Sequence, residues 1–138
     1  MTQDMKAVVR RFFDEVINRS NSTVADELLA PDFLDHGLPA GFPPGRSGFK
    51  QFAAMLAGAF PDLHVTVDEL VAEGNVVAVR LTVRGTHNGV LLGRIAPTGT
   101  KATWTGMDFI RLDQGKMVER WSVRDLLSLM QQLGVVQA

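Results

Sequence analysis

The amino-acid sequence predicts an α+β fold in which helices come first and the long strands of a curved antiparallel sheet then wrap around them as a cone. Three observations lead there. Apolar residues recur at helical spacing as far as Phe60. Beyond Asp62 they alternate at the strand period of two. Gly, Pro or Asn clusters mark the boundaries between the segments. Helices followed by antiparallel strands is the order expected when helices cover one face of a sheet. Such a cone opens at one end, and pockets favour mouths of that kind.

In the first segment Met5, Val9, Phe12, Phe13, Val16 and Ile17 form one apolar stripe, with charged residues between them. Thr23 and Asp26 resemble a capping box for a short second helix that stops before Pro31. Asp35 to Arg46, DHGLPAGFPPGR, reads as an ordered loop at the rim of a pocket. Ser47 is placed to cap a third helix carrying Phe49, Phe52, Ala53, Leu56 and Phe60, which Pro61 ends.

Four strands follow: LHVTVDELVAE, NVVAVRLTVRGTH, KATWTGMDFIRLD and KMVERWSV, joined by turns at Gly74-Asn75 and Gln114-Gly115 and by the glycine-bounded excursion NGVLLGRIAPTG. In the second of them Val77, Val79, Leu81 and Val83 share one face while Ala78, Arg80, Thr82 and Arg84 share the other. DLLSLMQQLG closes the chain as a short helix with Asp125 as N-cap and Gly134 as its stop.

The 138 residues form one domain, 1–138, large enough for a core of its own. Fourteen basic and fifteen acidic residues give a net charge of -1, which argues against nucleic acid or an anionic membrane as partner. The absence of Cys excludes disulfides, thiolate nucleophiles and Cys-bound metals. No His cluster has metal-ligand spacing, so no metal is expected. Phosphate-loop, dinucleotide and nucleophile-elbow motifs are missing as well. The opening residues MTQDMKAVVRRFF mix charge into the apolar positions, and no apolar run reaches membrane-spanning length, so a cytoplasmic protein is expected.

Three segments, LLAPDFLDHG, RGTHNGVLLGRIAPTG and FIRLDQGKMVERWSVRDLLSLMQQLG, together resemble the SnoaL-like polyketide cyclases and the broader ester cyclase group, of the nuclear transport factor 2-like (cystatin-like) superfamily. The resemblance implies the cone fold, a homodimer and no cofactor. It also implies an intramolecular aldol ring closure on an anthracycline precursor ester, and the chain is expected to cyclise or isomerise a hydrophobic, carbonyl-bearing small molecule. Its acid/base aspartate matches Asp125 here, where an apolar cavity would raise the carboxyl's proton affinity. The bland alternative is that Asp125 only caps the last helix. His36 matches a polar residue near the cavity in many relatives and could bond a substrate carbonyl, or simply satisfy its own loop. Asp35 reads as a turn former.

Trp104 and Asp108, four apart on one strand, share a face, which makes Asp108 a second acid/base candidate with Arg80 as its expected ion-pair partner. Phe33, Trp104, Met107 and Trp121 are expected to line the cavity, with Arg80 beside them. Met55, Met117 and Met130 read as core or lining too. His64 is expected at the surface or the pocket mouth.

The chain has no Tyr, whereas cone-fold relatives that isomerise ketosteroids or open epoxides use a Tyr hydroxyl. An Asp108, Arg80 and Asp125 set is the remaining epoxide-hydrolase-like alternative. A binding module without catalysis is the leading alternative of another class. Apolar residues on both faces of the long strands predict a homodimer through the outward sheet face.

Overall fold

The structure is a computed structural model and describes residues 2–137. The first apolar stripe forms α1 (Thr2–Arg11), which widens into a π-helical turn (Phe12–Ile17). Val9, Phe12, Phe13 and Val16 are buried along it. The neighbours Phe12 and Phe13 meet edge to face at 5.0 Å. Next comes α2 (Ser22–Leu28), capped by Asn21, whose side chain accepts from the Val24 N–H. The expected Thr23–Asp26 box is therefore not the cap, and Asp26 instead pairs with Lys50. Asn21 is the better cap because its carbonyl reaches the third N–H on from an extended backbone.

The chain then enters β1 (Leu29–Asp35), a strand that the sequence reading placed partly in loop. β1 is the edge strand and runs parallel to its neighbour, so the sheet is not wholly antiparallel as expected. An edge position tolerates Pro31, whose missing N–H would break an interior ladder. After the Gly/Pro loop, α3 (Arg46–Ala59) starts from Gly45 with no side-chain cap. Ser47 lies inside this helix, where its Oγ accepts a bond from Gln51 instead of capping.

β2 (His64–Glu73), β3 (Val76–Thr86), β4 (Lys101–Asp113) and β5 (Lys116–Arg124) fall where the alternation placed them, followed by α4 (Leu126–Gln132). The five strands are ordered β1-β5-β4-β3-β2 in a curved, unclosed sheet. On the concave face Val77, Val79, Leu81, Trp104 and Ile110 meet Phe12, Phe33, Phe49 and Phe60, all buried. Each such aromatic contributes about 1.5–3 kcal/mol by leaving water.

β4 outruns β5, since their last paired residues are Gly106 and Arg124. The flank of β4 beyond that point is closed by the end of the chain. The Asp125 N–H donates to the Thr105 carbonyl at 2.8 Å, and the Gln132 amide accepts from the Thr103 N–H at 3.0 Å and donates to the Thr103 carbonyl at 2.8 Å. Gln132 thus does for Thr103 what a partner strand would do. Gln132→Ala should lower the unfolding free energy by about 1 kcal/mol, the net value of such bonds near water. Urea titration at constant m-value measures it.

Candidate functional site

Parity decides which side chains share a surface. On β4 the even-numbered residues Ala102, Trp104 and Asp108 are buried, while Met107 and Phe109 point out. On β5 an irregular register opposite Arg111 and Leu112 resets the alternation. Met117 and Arg120 are both buried although three residues apart, and Trp121 and Val123 therefore face outward.

The register lays a charge cluster across three neighbouring strands. Asp35 on β1 sits opposite Arg120 on β5, and Asp108 on β4 sits opposite Ser122. The diagonals from Asp108 lead to Arg120 and Arg124, within reach of long side chains. Arg120 Nη1 donates to Asp35 Oδ2 at 2.9 Å and Nε to Asp108 Oδ2 at 3.1 Å. Arg124 Nη1 donates to Asp108 Oδ1 at 2.5 Å. Asp35 also accepts from the Gly37 N–H at 2.8 Å, the turn-forming contact expected of it.

Gly106 has no side chain to obstruct this arrangement: a Cβ there would lie 2.5 Å from Arg124 Cδ, so only glycine lets Arg124 cross β4 to Asp108. Gly37 likewise lets the turn after β1 settle on Ser122.

The two aspartates are fully buried, Arg120 nearly so, and Arg124 keeps 19% of its side chain exposed. Burial alone would raise the Asp108 carboxyl, but the Arg120 and Arg124 charges and their hydrogen bonds outweigh it and hold the group below the usual carboxylate range. Burial works against the Arg120 charge too, yet Asp108 and Asp35 raise its proton affinity above the ordinary guanidinium value. Two acids and two bases cancel, so the cluster is a neutral set of fixed dipoles in an apolar surround. The Phe12 and Phe49 rings lie 5.5 and 5.8 Å from Arg120 Cζ.

Of the expected site residues, Asp108, Trp104 and Phe33 share this inner face. Asp125 does not join them. Its side chain is exposed and accepts from the Ser128 N–H at 3.0 Å, the cap alternative.

Arg80 is on the convex face, bonded to Glu69 at 3.3 Å and beside Asp68 at 3.8 Å, so Asp108 is paired by Arg120 and Arg124 instead. Met107 and Trp121 also belong to the convex face. His36 joins them there, stacked on Trp121 at 5.1 Å with its Nε2 2.6 Å from Glu119 Oε2. The His36 and Arg111 hydrogen bonds hold the Glu119 carboxyl low. His64 is exposed, whereas Met117 is core.

Sequence reasoning missed Arg120, Arg124 and Ser122. The available signal was two arginines flanking Ser122 at strand spacing, opposite the one aspartate that shares a face with a Trp.

His87, fully buried beyond Trp104, is a second interior feature. Its Nδ1 lies 3.0 Å from the Thr98 hydroxyl and accepts from the Thr98 N–H at 3.3 Å, which leaves the proton on Nε2. That N–H has no partner among the described residues. Among those residues no group of three His, Asp or Glu side chains is placed to hold a metal ion. No helix there is long and apolar enough to cross a membrane.

Of the hollows that adjoin the sheet and helices, two are mainly apolar. A groove of about 380 Å³ on the convex face has Val71, Arg80, Met107, Asp108, Phe109 and Trp121 among its lining residues. A cleft of about 340 Å³ opens between the π-helical turn, α2 and α3, with Phe49 and Phe60 among its lining residues.

A family model described as SnoaL-like polyketide cyclase matches residues 7–133. Among solved structures, TsrD from Streptomyces laurentii is 25% identical, covers 99% of this chain and 98% of its own, and superposes with a TM-score of 0.89. IdmH from Streptomyces antibioticus, provisionally named a polyketide cyclase, is 30% identical over 94% of this chain and 98% of its own, with a TM-score of 0.81. A protein of Jannaschia sp. CCS1, provisionally named a SnoaL-like polyketide cyclase, is 27% identical over 98% of this chain and 94% of its own, with a TM-score of 0.85. No curated protein matches the chain significantly.

Proposed function

The chain belongs to the SnoaL-like polyketide cyclase family, and from that premise we propose that it catalyses cofactor-independent acid/base chemistry, an aldol ring closure, on a hydrophobic, carbonyl-bearing small molecule. The observation that carries the reading is the buried, ionised Asp108 with Arg124 reaching it from the partly exposed side.

A carboxylate pinned by two guanidinium groups is a weak base. When a substrate carbonyl takes up the Arg124 N–H groups, Asp108 is left with Arg120 as its one cationic partner and its basicity rises. Asp108 then removes the proton from the carbon between two carbonyls, and Arg124 holds the enolate oxygen. The enolate carbon attacks a second carbonyl of the same molecule. The new alkoxide takes the proton back from Asp108, so the cycle balances without a cofactor. Trp104 and Phe33 supply the low-dielectric surround.

The test is turnover of an aromatic polyketide ester by the wild type, Asp108→Asn and Asp125→Asn. Loss in Asp108→Asn with near-normal rates in Asp125→Asn supports the mechanism, and undiminished turnover by Asp108→Asn removes it. The exposed cap position of Asp125 favours a second reading, a binding module without catalysis. Tight binding of the ester with no turnover by the wild type would select it.

The protein also pairs with a second copy through the convex face. Val71, Met107, Phe109 and Val123 are each more than half exposed there. The charged groups Arg80 with Glu69 and Arg111 with Glu119 and His36 lie on the same convex face. A two-fold axis would set this patch against its own copy, as a closed dimer requires. Sedimentation should show a dimer at micromolar concentration and a monomer for Phe109→Glu; a monomeric wild type overturns the assignment.

A further inference from the structure

The geometry points to the cleft between the π-helical turn, α2 and α3 as the entrance to the buried charge cluster, with Phe49 as the gate between them. This inference rests on the cluster being the reacting site. The cleft is concave, and its volume of about 340 Å³ is that of a small-molecule site. The small side chains Ala25, Ala53, Ala54 and Ala57 stand among its larger apolar walls and leave room for a flat apolar body. One wall is the π-helical turn, a local widening that often marks functional positions.

What lies behind the cleft decides its role. Phe49 lines it, and the same ring stands 5.8 Å from the Arg120 guanidinium carbon. Phe60 lines it too, and that ring packs 5.5 Å from His87, whose Nε2–H lacks an acceptor. Each aromatic thus separates an apolar opening from polar groups. Turning Phe49 aside joins the opening to Arg120 and Asp108, and a carbonyl-bearing molecule is the occupant that suits both parts. Its flat ring system fills the cleft, its oxygens meet the guanidinium groups, and a further acceptor can satisfy His87.

The probe is 1,8-dihydroxyanthraquinone, a planar molecule with carbonyl acceptors, titrated by its visible absorbance against the full chain. Ala57→Phe narrows the cleft more than two helical turns along α3 from Phe49. The solvent-exposed Ala54→Phe does so from the rim, where folding is undisturbed. Both should weaken binding at least about tenfold, the scale on which pockets discriminate by a methylene or more. Val123→Glu on the convex face should leave binding unchanged, and Phe49→Leu should speed association.

Unaltered affinity in both cleft variants, or loss of binding only in Val123→Glu, overturns the entrance. Because this readout is binding, the two claims separate. Cleft-dependent binding with Asp108→Asn fully active would spare the entrance and sink the aldol mechanism. Cleft-independent binding with Asp108→Asn inactive would do the reverse.

Discussion

Replacing Arg120 by methionine should destabilise the protein by about 3–5 kcal/mol, the range seen when one partner of a buried ion pair is removed. The guanidinium is nearly sequestered from solvent and bonds both Asp35 and Asp108, whose side chains are fully so. Methionine fills much of the same volume, so the cavity is small and the loss comes from two carboxylates left without their shared cation. Asp108 keeps Arg124, but among the described residues the Asp35 side chain retains only the Gly37 N–H.

The pH dependence follows in sign. Asp108 is held below its unfolded value, so its contribution is complete above the ordinary carboxylate pKa of about 4 and fades as pH falls through the lower folded value. Arg120→Met raises that folded value and should move acid unfolding to higher pH. Circular dichroism across urea at pH 7, and across pH without denaturant, measures both effects. An acid midpoint that does not move would mean the cluster contributes nothing as a charged set.

Asp108→Asn should lower turnover of an aromatic polyketide ester by about 10²–10⁴-fold, the usual contribution of a positioned proton-transfer group. The amide keeps the shape of the carboxylate and can still accept from Arg124, so substrate affinity should change little. KM near the wild-type value with kcat reduced is the signature of a group acting in the transition state. Asp125→Asn should stay within about twofold, because Asn is as good a helix cap as Asp. Since the Asp108 carboxyl is low in the free enzyme, the wild-type kcat/KM should show no acid limb until pH falls below about 4. A limb centred near neutrality would point to a different base.

Much of the architecture was legible because period-two alternation is a strong signal: all four strands after Asp62 lie where it put them. β1 was obscured by Pro31 and by its polar residues, which an edge strand tolerates and a central one does not. The site was legible only in part. Trp104 and Asp108 share a face by simple counting, and the same counting excludes Met107, three residues from Trp104 on the opposite parity.

Trp121 is a different case. Its placement depends on a register irregularity at Leu112 and Met117 that no local pattern announces, and the shift of one residue turns its whole neighbourhood over. Arg120 was passed over because a charge inside a strand reads as solvent-facing until its two acidic partners, one of them 85 positions away in sequence, are brought beside it. Asp125 shows how a cap signal and a catalytic motif can coincide in letters while geometry permits only one environment.

The amide of Gln132 has a consequence for solubility. An unpaired strand flank is a template on which other chains can add, and proteins ordinarily blunt it with charge or cover. Here a single neutral side chain blocks the Thr103 backbone. Gln132→Ala would expose that template in an otherwise folded molecule, and its failure would be seen as concentration-dependent fibre growth, with the melting temperature lowered only by the few degrees that about 1 kcal/mol implies.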